Sequence, residues 1–174
     1  MRLGEALALT WEDFYDSKIS ITKSHTKQTE NGSYEIKIPK SSSSMRVIPI
    51  NESLNRYLLD FKKSSQKYRH DFSEKDFIFG GKKPLARTTI ERKKNEAIEK
   101  SGVKKIRIHD FRHSHATILI NNGMNIVSVS RRLGHSDINM TLRVYTHLLN
   151  KTDMQMMDFL EKSSHNSSQS EGRV

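Results

Sequence analysis

The residues best suited to chemistry crowd into one stretch. Residues 107–119, RIHDFRHSHATIL, set His109, Arg112, His113 and His115 within a segment otherwise apolar enough to form a buried helix. On a helical wheel of about 100° per residue, Phe111, His115, Ile118 and Leu119 share one arc, which predicts the core face. Asp110, His113, Ser114 and Thr117 fall opposite, toward solvent. Arg112 and His109 lie at the edge of the apolar arc. A guanidinium cannot shed its proton, and burying it unpaired costs roughly several kcal/mol, so Arg112 needs an anion. That anion is either an internal carboxylate or a ligand phosphate, for which arginine's fork of donors and the start of a helix are both suited. His109, one turn earlier, can reach the same group. His109 and His113 also have the His-x-x-x-His spacing of a zinc pair. No Glu follows the first histidine, and Arg112 would set a positive charge beside the ion, so no metal is expected. His115 is read as a hydrogen-bonded core histidine.

Three further groups stand out. Arg2 and Glu5 are one turn apart on an opening helix. Residues 130–148, SRRLGHSDINMTLRVYTHL, suit two helices around a Gly134 turn, a helix-turn-helix pattern in which Ser136, Asp137 and Asn139 would open the second helix toward DNA. Tyr145 shares a helical face with Ile138, Leu142 and Leu149, so periodicity alone makes it a core aromatic.

The elements that must position these residues can be read from local signals. An apolar stripe of Leu3, Ala6, Leu7 and Leu9 predicts a first helix. KISIT, YEIKI and MRVIPI suit three strands of a small antiparallel sheet, with an Asn31-Gly32 turn joining the first two and Pro39-Lys40 and four serines linking to the third. A helix capped by Asn51 runs to about Ser65, and a short apolar run over 76–79 ends at Gly80-Gly81. Helices follow over about 88–100, closed by Gly102, then 109–122, 125–133 and 137–149, with Gly123 and Gly134 at their ends. An amphipathic piece over 152–162 gives way to SSHNSSQSEGRV, a tail expected to be disordered. The expected fold class is α+β: a mostly helical domain over 1–162 with a small three-stranded antiparallel sheet near the N-terminus, and a tail over 163–174.

Composition narrows the partner. The 174 residues carry 30 Lys and Arg against 20 Asp and Glu, a net charge of +10, which favours an anionic polymer, nucleic acid first. The absence of cysteine excludes disulfides and thiolate metal sites and points to a cytoplasmic setting. No apolar run approaches the roughly 20 residues of a membrane span, and no membrane partner is expected.

Taken in order, Arg2 in MRLGEALALTW, Lys40 after Pro39, His109-x-x-Arg112, Gly134-His135 and Tyr145 in TLRVYTH resemble the signature of the tyrosine recombinases, the phage and transposon integrase family. The likeness covers residues 1 to about 150. It implies that Tyr145 attacks a phosphodiester of double-stranded DNA, becomes joined to the 3′ phosphate and releases a 5′ hydroxyl. A partner strand's 5′ hydroxyl then resolves the phosphotyrosine, without cofactor, metal or ATP. A tyrosine of pKa near 10 is phenolate only about once in a thousand at pH 7, a cost of roughly 4 kcal/mol, so a base is needed. The resemblance assigns that role to His109, the clamping of phosphate oxygens to Arg2 and Arg112, a further hydrogen bond to His135, and the general acid to Lys40, with Lys37, Lys27 and Lys23 as rivals. Glu5 would orient Arg2 or a histidine. Members of the family carry an N-terminal DNA-binding domain, so this chain is expected to be a catalytic fragment of a protein that works as a tetramer on DNA. A non-catalytic helix-turn-helix DNA-binding domain and a type IB topoisomerase are the alternatives.

Overall fold

A computed structural model describes residues 1–26, 35–39, 44–135, 137–139, 141, 142 and 157. The chain divides into two units, Met1–Ser136 and Asp137–Val174.

In the first unit, α1 (Leu3–Leu7) starts where the Glu5 carboxylate accepts the backbone N–H of Arg2 at 2.6 Å, satisfying a donor that the helix cannot. Leu7, Ala8 and Leu9 are buried. A single 3-10 turn, Trp11–Asp13, follows, pinned by Asp13 Oδ2, which accepts both the backbone N–H (2.8 Å) and the hydroxyl (2.9 Å) of Thr10.

The antiparallel sheet has three strands, as expected, but one is not the expected one. Its order is β1 (Phe14–Tyr15), β2 (Lys18–Ile21), β5 (Arg46–Pro49). Strands β1 and β2 are joined by Asp16-Ser17, both at positive φ (47° and 56°), the two-residue turn whose twist matches a hairpin. The YEIKI stretch supplies β4 (Ile36–Lys37) instead to a separate two-stranded ribbon with β3 (Ser24–His25). The physical reason is burial. Ile48 on β5 pairs with Ile19 and shares its core, whereas Ile38 is 74% exposed and brings no apolar face to that layer.

The core collects Leu9, Trp11, Phe14, Ile19, Ile21, Ile48, Leu58 and Ile78. Leu58 comes from α2 (Glu52–Tyr68), whose N-cap is Asn51, its side chain accepting the Leu54 N–H at 3.0 Å. Phe61 of the same helix meets Trp11 with ring centroids 5.6 Å apart. The 76–81 run closes the layer: Trp11 N–H donates to the Asp76 carbonyl and Ile78 N–H to that of Leu9.

The helical body comprises α3 (Arg87–Ser101), which ends at Gly102 in the left-handed region, then α4 (Ile108–Asn121) and α5 (Ile126–Leu133). The face that α4 buries corrects the helical-wheel reading. Arg112 and Ala116 are buried, while Phe111 (56%) and Ile118 (60%) are exposed and His115 is exposed rather than a core histidine. The buried stripe is Arg112 and Ala116, four residues apart, and Arg112 reaches the Leu133 carbonyl at the end of α5.

In the second unit, Asp137 Oδ1 accepts the Asn139 N–H at 2.9 Å, and the Ile138 carbonyl accepts those of Thr141 and Leu142, a turn of helix. The rest of the helix expected over 137–149, the piece over 152–162 apart from Met157, the tail and the Asn31-Gly32 turn lie outside the described residues. So do Lys40, Lys27 and Tyr145. Among the described residues no helix is long and apolar enough to cross a membrane.

Candidate active site

Three arginines from three distant parts of the chain meet at the carboxyl end of α5. That end presents carbonyls with no partner inside the helix and the negative pole of its dipole, so it attracts cations. Arg46 Nε donates to the Arg132 carbonyl at 2.8 Å, Arg112 Nη2 to that of Leu133 at 2.7 Å, and Arg2 Nη2 to that of Gly134 at 3.0 Å. Three consecutive carbonyls thus each hold a different guanidinium. Gly134 makes the geometry possible, since it adopts φ +69° and a Cβ there would lie 2.5 Å from Arg46 Nη1.

Glu5 is the carboxylate in the cluster and is 3% exposed. Its Oε1 accepts from Arg2 Nη1 (3.0 Å) and Arg46 Nη1 (3.2 Å), and its Oε2 from Arg46 Nη2 (2.9 Å). Burial alone would raise its pKa. The hydrogen bonds from Arg46 and Arg2 outweigh burial and hold the carboxyl below its usual range, so Glu5 is ionised at neutral pH. Among the described residues, three guanidiniums against one carboxylate leave the cluster two positive charges in excess.

The arginines differ in what they have left to offer. Arg46 is consumed by its partners: Nε, Nη1 and Nη2 all donate, including a further bond to the Ser44 carbonyl at 3.1 Å, and its side chain is 7% exposed. Arg2 is 39% exposed, and its Nε makes no hydrogen bond among the described residues. Arg112 is buried, and its Nη1 has no hydrogen-bond partner among the described residues. Burial, and then the nearby Arg2, push the Arg112 pKa down to about 10. It stays protonated at pH 7 and would gain strongly from an anion.

Two histidines beside the cluster, His135 and His109, are pushed toward the neutral form. Burial, followed by Arg112, Arg2 and Arg46, pushes His135 down to about 4. His109 is lowered by partial burial of its ring, then by His113 and Arg112. Its ring meets that of His113 edge-on at 4.7 Å. A neutral imidazole has one N–H to donate and one nitrogen to accept a proton. His109 lines a cleft of about 590 Å³ together with Arg2, Arg87, Glu91, Arg107 and Arg112. Among the described residues no group of three His, Asp or Glu side chains is arranged to hold a metal ion.

The structure therefore brings together Arg2, Glu5, Arg112 and His135, with His109 beside Arg112. Two of the lysine rivals are engaged elsewhere. Lys23 Nζ sits 2.9 Å from both Asp13 Oδ2 and Thr10 Oγ1, and Lys37 pairs with Glu35 at 3.0 Å on the surface. The sequence reading missed Arg46. Its partners lie 41 and 86 residues away, and the available signal was only that a charged residue opens an otherwise apolar strand.

The family model for the phage integrase family matches residues 1–152. The chain belongs to that family. It is 31% identical over 166 residues to the ICEBs1 integrase of Bacillus subtilis, a match spanning 92% of this chain and 45% of that protein. It is 30% identical over 172 residues to the integrase of Staphylococcus phage L54a, spanning 93% of this chain and 48% of that one. Among solved structures, the Tn1549 transposon integrase in complex with transposon right end DNA superposes with a TM-score of 0.75 at 25% identity, covering 92% of this chain and 55% of that chain. This integrase-family chain thus spans about half the length of the curated relatives it matches.

Proposed function

We propose that the chain carries the strand-transfer centre of a site-specific DNA recombinase, acting in integration or excision of a mobile element through a 3′-phosphotyrosine intermediate. The observation that carries the reading is the excess charge of the Arg2, Arg46, Arg112 and Glu5 cluster, with Arg2 partly exposed and a buried Nη1 on Arg112 that has no hydrogen-bond partner among the described residues. A phosphodiester satisfies that demand, and the phosphorane formed on attack, which gathers a second negative charge, satisfies it better. Interactions that strengthen toward the transition state are the ones that accelerate a reaction.

In this reading the Tyr145 phenol attacks the scissile phosphorus while its proton passes to His109, whose lowered pKa leaves it free to accept one. Arg2 and Arg112 hold the non-bridging oxygens, and neutral His135 donates its N–H to one of them. The P–O5′ bond breaks, and Lys40 gives the leaving oxygen a proton. Glu5 fixes the direction of Arg2. The partner strand's 5′ hydroxyl reverses the sequence on the phosphotyrosine, so the bond energy is conserved and neither ATP nor a metal ion is required. Exchange of two duplexes needs four such centres, which makes a homotetramer on DNA the working assembly.

The test is covalent capture. Incubation with a pooled library of nicked duplexes, followed by denaturation in detergent, should leave protein attached to a subset of DNA 3′ ends, and Tyr145→Phe should abolish the adduct while preserving DNA binding. An adduct formed equally by Tyr145→Phe would reassign the nucleophile. Salt-sensitive binding with no adduct from the unaltered chain would indicate a non-catalytic DNA-binding domain.

A further inference from the structure

We propose that Arg46 is a positioning residue for the phosphate site: without touching the phosphate, it aims Arg2 and Arg112 at it. The assignment rests on the phosphate-binding reading of those two arginines and adds a residue that the reading does not use. Arg46 is poorly placed to be a ligand group itself, because four of its five N–H donors are engaged and its side chain is only 7% exposed. It instead joins the two parts that direct the other guanidiniums.

The first part is Glu5. Arg46 meets both oxygens of the carboxylate in a bidentate pair, fixing its plane. The same two oxygens receive Arg2, Oε1 from Nη1 and Oε2 from the backbone N–H. Turning the carboxylate would therefore turn Arg2. The second part is the end of α5. Arg46 Nε holds the Arg132 carbonyl, and Arg132 Nη1 in turn donates to the Pro49 carbonyl at 3.1 Å, so both ends of β5 clasp this residue. The next two carbonyls, Leu133 and Gly134, are those that orient Arg112 and Arg2. One side chain thus sets the direction of both phosphate-facing arginines, and the absence of a side chain at Gly134 leaves the space it occupies. Misplacement by about 1 Å in a reacting centre can cost about a hundredfold in rate, so the aim of these groups matters as much as their charge.

Lysine at this position keeps the charge but cannot meet a planar carboxylate and a carbonyl together. The test uses Arg46→Lys and, as a second route, Gly134→Ala, which changes no arginine in the sequence but crowds Arg46 with a Cβ. Both are studied at temperatures where circular dichroism shows them folded. Two readouts are taken: the affinity for inorganic phosphate by calorimetric titration, and the single-turnover rate of covalent capture beside the overall duplex affinity. The expected result is phosphate binding weaker, and capture slower, by about tenfold or more in both variants, with duplex affinity within about twofold of the original. Unchanged phosphate affinity and capture in the folded variants would overturn the proposal. So would a fall in duplex affinity in step with capture, which would make Arg46 a DNA contact or a general stability element. If the unaltered chain binds phosphate but captures no DNA, the recombinase reading fails, while the phosphate titrations still decide the role of Arg46.

Discussion

Replacing Glu5 by glutamine should expose how much the arginine cluster depends on this carboxylate. The side chain is 3% exposed and accepts four hydrogen bonds from Arg2 and Arg46. Glutamine preserves its shape. It removes the charge, however, and turns one acceptor into a donor that faces another donor. Breaking a buried ion pair by removing one partner costs about 3–5 kcal/mol, because the remaining charge is left uncompensated. For a domain of this size about 1 kcal/mol corresponds to about 2–4 °C, so the melting temperature should fall by about 10 °C. Thermal and urea melts followed by circular dichroism measure this directly. Sulfate should restore part of the loss, because an anion that binds the folded state alone stabilises it by mass action. The pH dependence adds a check of sign. The Glu5 pKa is lowered on folding from 4.5, so its contribution is complete above pH 4.5 and is lost as the pH falls through the folded value. Below that point the original and the variant should converge. A variant that melts within about 2 °C of the original at pH 7, with no response to sulfate, would refute the claim that Glu5 compensates the guanidiniums.

Two other expectations follow from the same geometry. His135, lowered to about 4, and His109 and His115, also lowered, resist protonation when folded, whereas the unfolded chain takes up protons near pH 6.5. Stability should therefore decline as the pH falls from about 6.5 toward 4, and His135→Asn should flatten that slope in melts taken at half-unit steps. On α4, Phe111→Ser should change stability by no more than about 0.5 kcal/mol because the ring is exposed, whereas Ala116→Leu should cost about 1–3 kcal/mol by overpacking. Urea denaturation of the pair checks which face of the helix is buried, and the opposite order would restore the helical-wheel reading.

What the sequence made legible was local. The Asn51 cap, the Gly102 and Gly134 helix ends and the Arg2–Glu5 pair each depend on residues within one turn of each other, and each is found in the structure. The misreadings were non-local. The strand pattern could not tell that β2 pairs with β5 across residues 22–45, because that choice rests on Ile48 reaching the same core as Ile19. The Asp16-Ser17 hairpin lacked the glycine that usually marks such a turn. On α4 the wheel assumed that the apolar arc faces inward. The buried stripe is instead Arg112 and Ala116, because the exposed carbonyls of α5 attract a guanidinium more strongly than the neighbouring packing attracts Phe111. The site followed the same division. Arg2, Glu5, His109, Arg112 and His135 could be selected by type and order, whereas Arg46 acquires its place only through partners far along the chain.

The central claim is that Arg2 and Arg112 grip one and the same scissile phosphate, and replacing that linkage with an uncharged methylphosphonate tests it most directly. Single-turnover cleavage is compared for the original chain, Arg2→Ala and Arg112→Ala on charged and neutral duplexes. If both guanidiniums serve to neutralise that group, each variant should be severely slowed on the phosphate and lose most of its defect on the methylphosphonate. Equal defects of either variant on both linkages would contradict the claim.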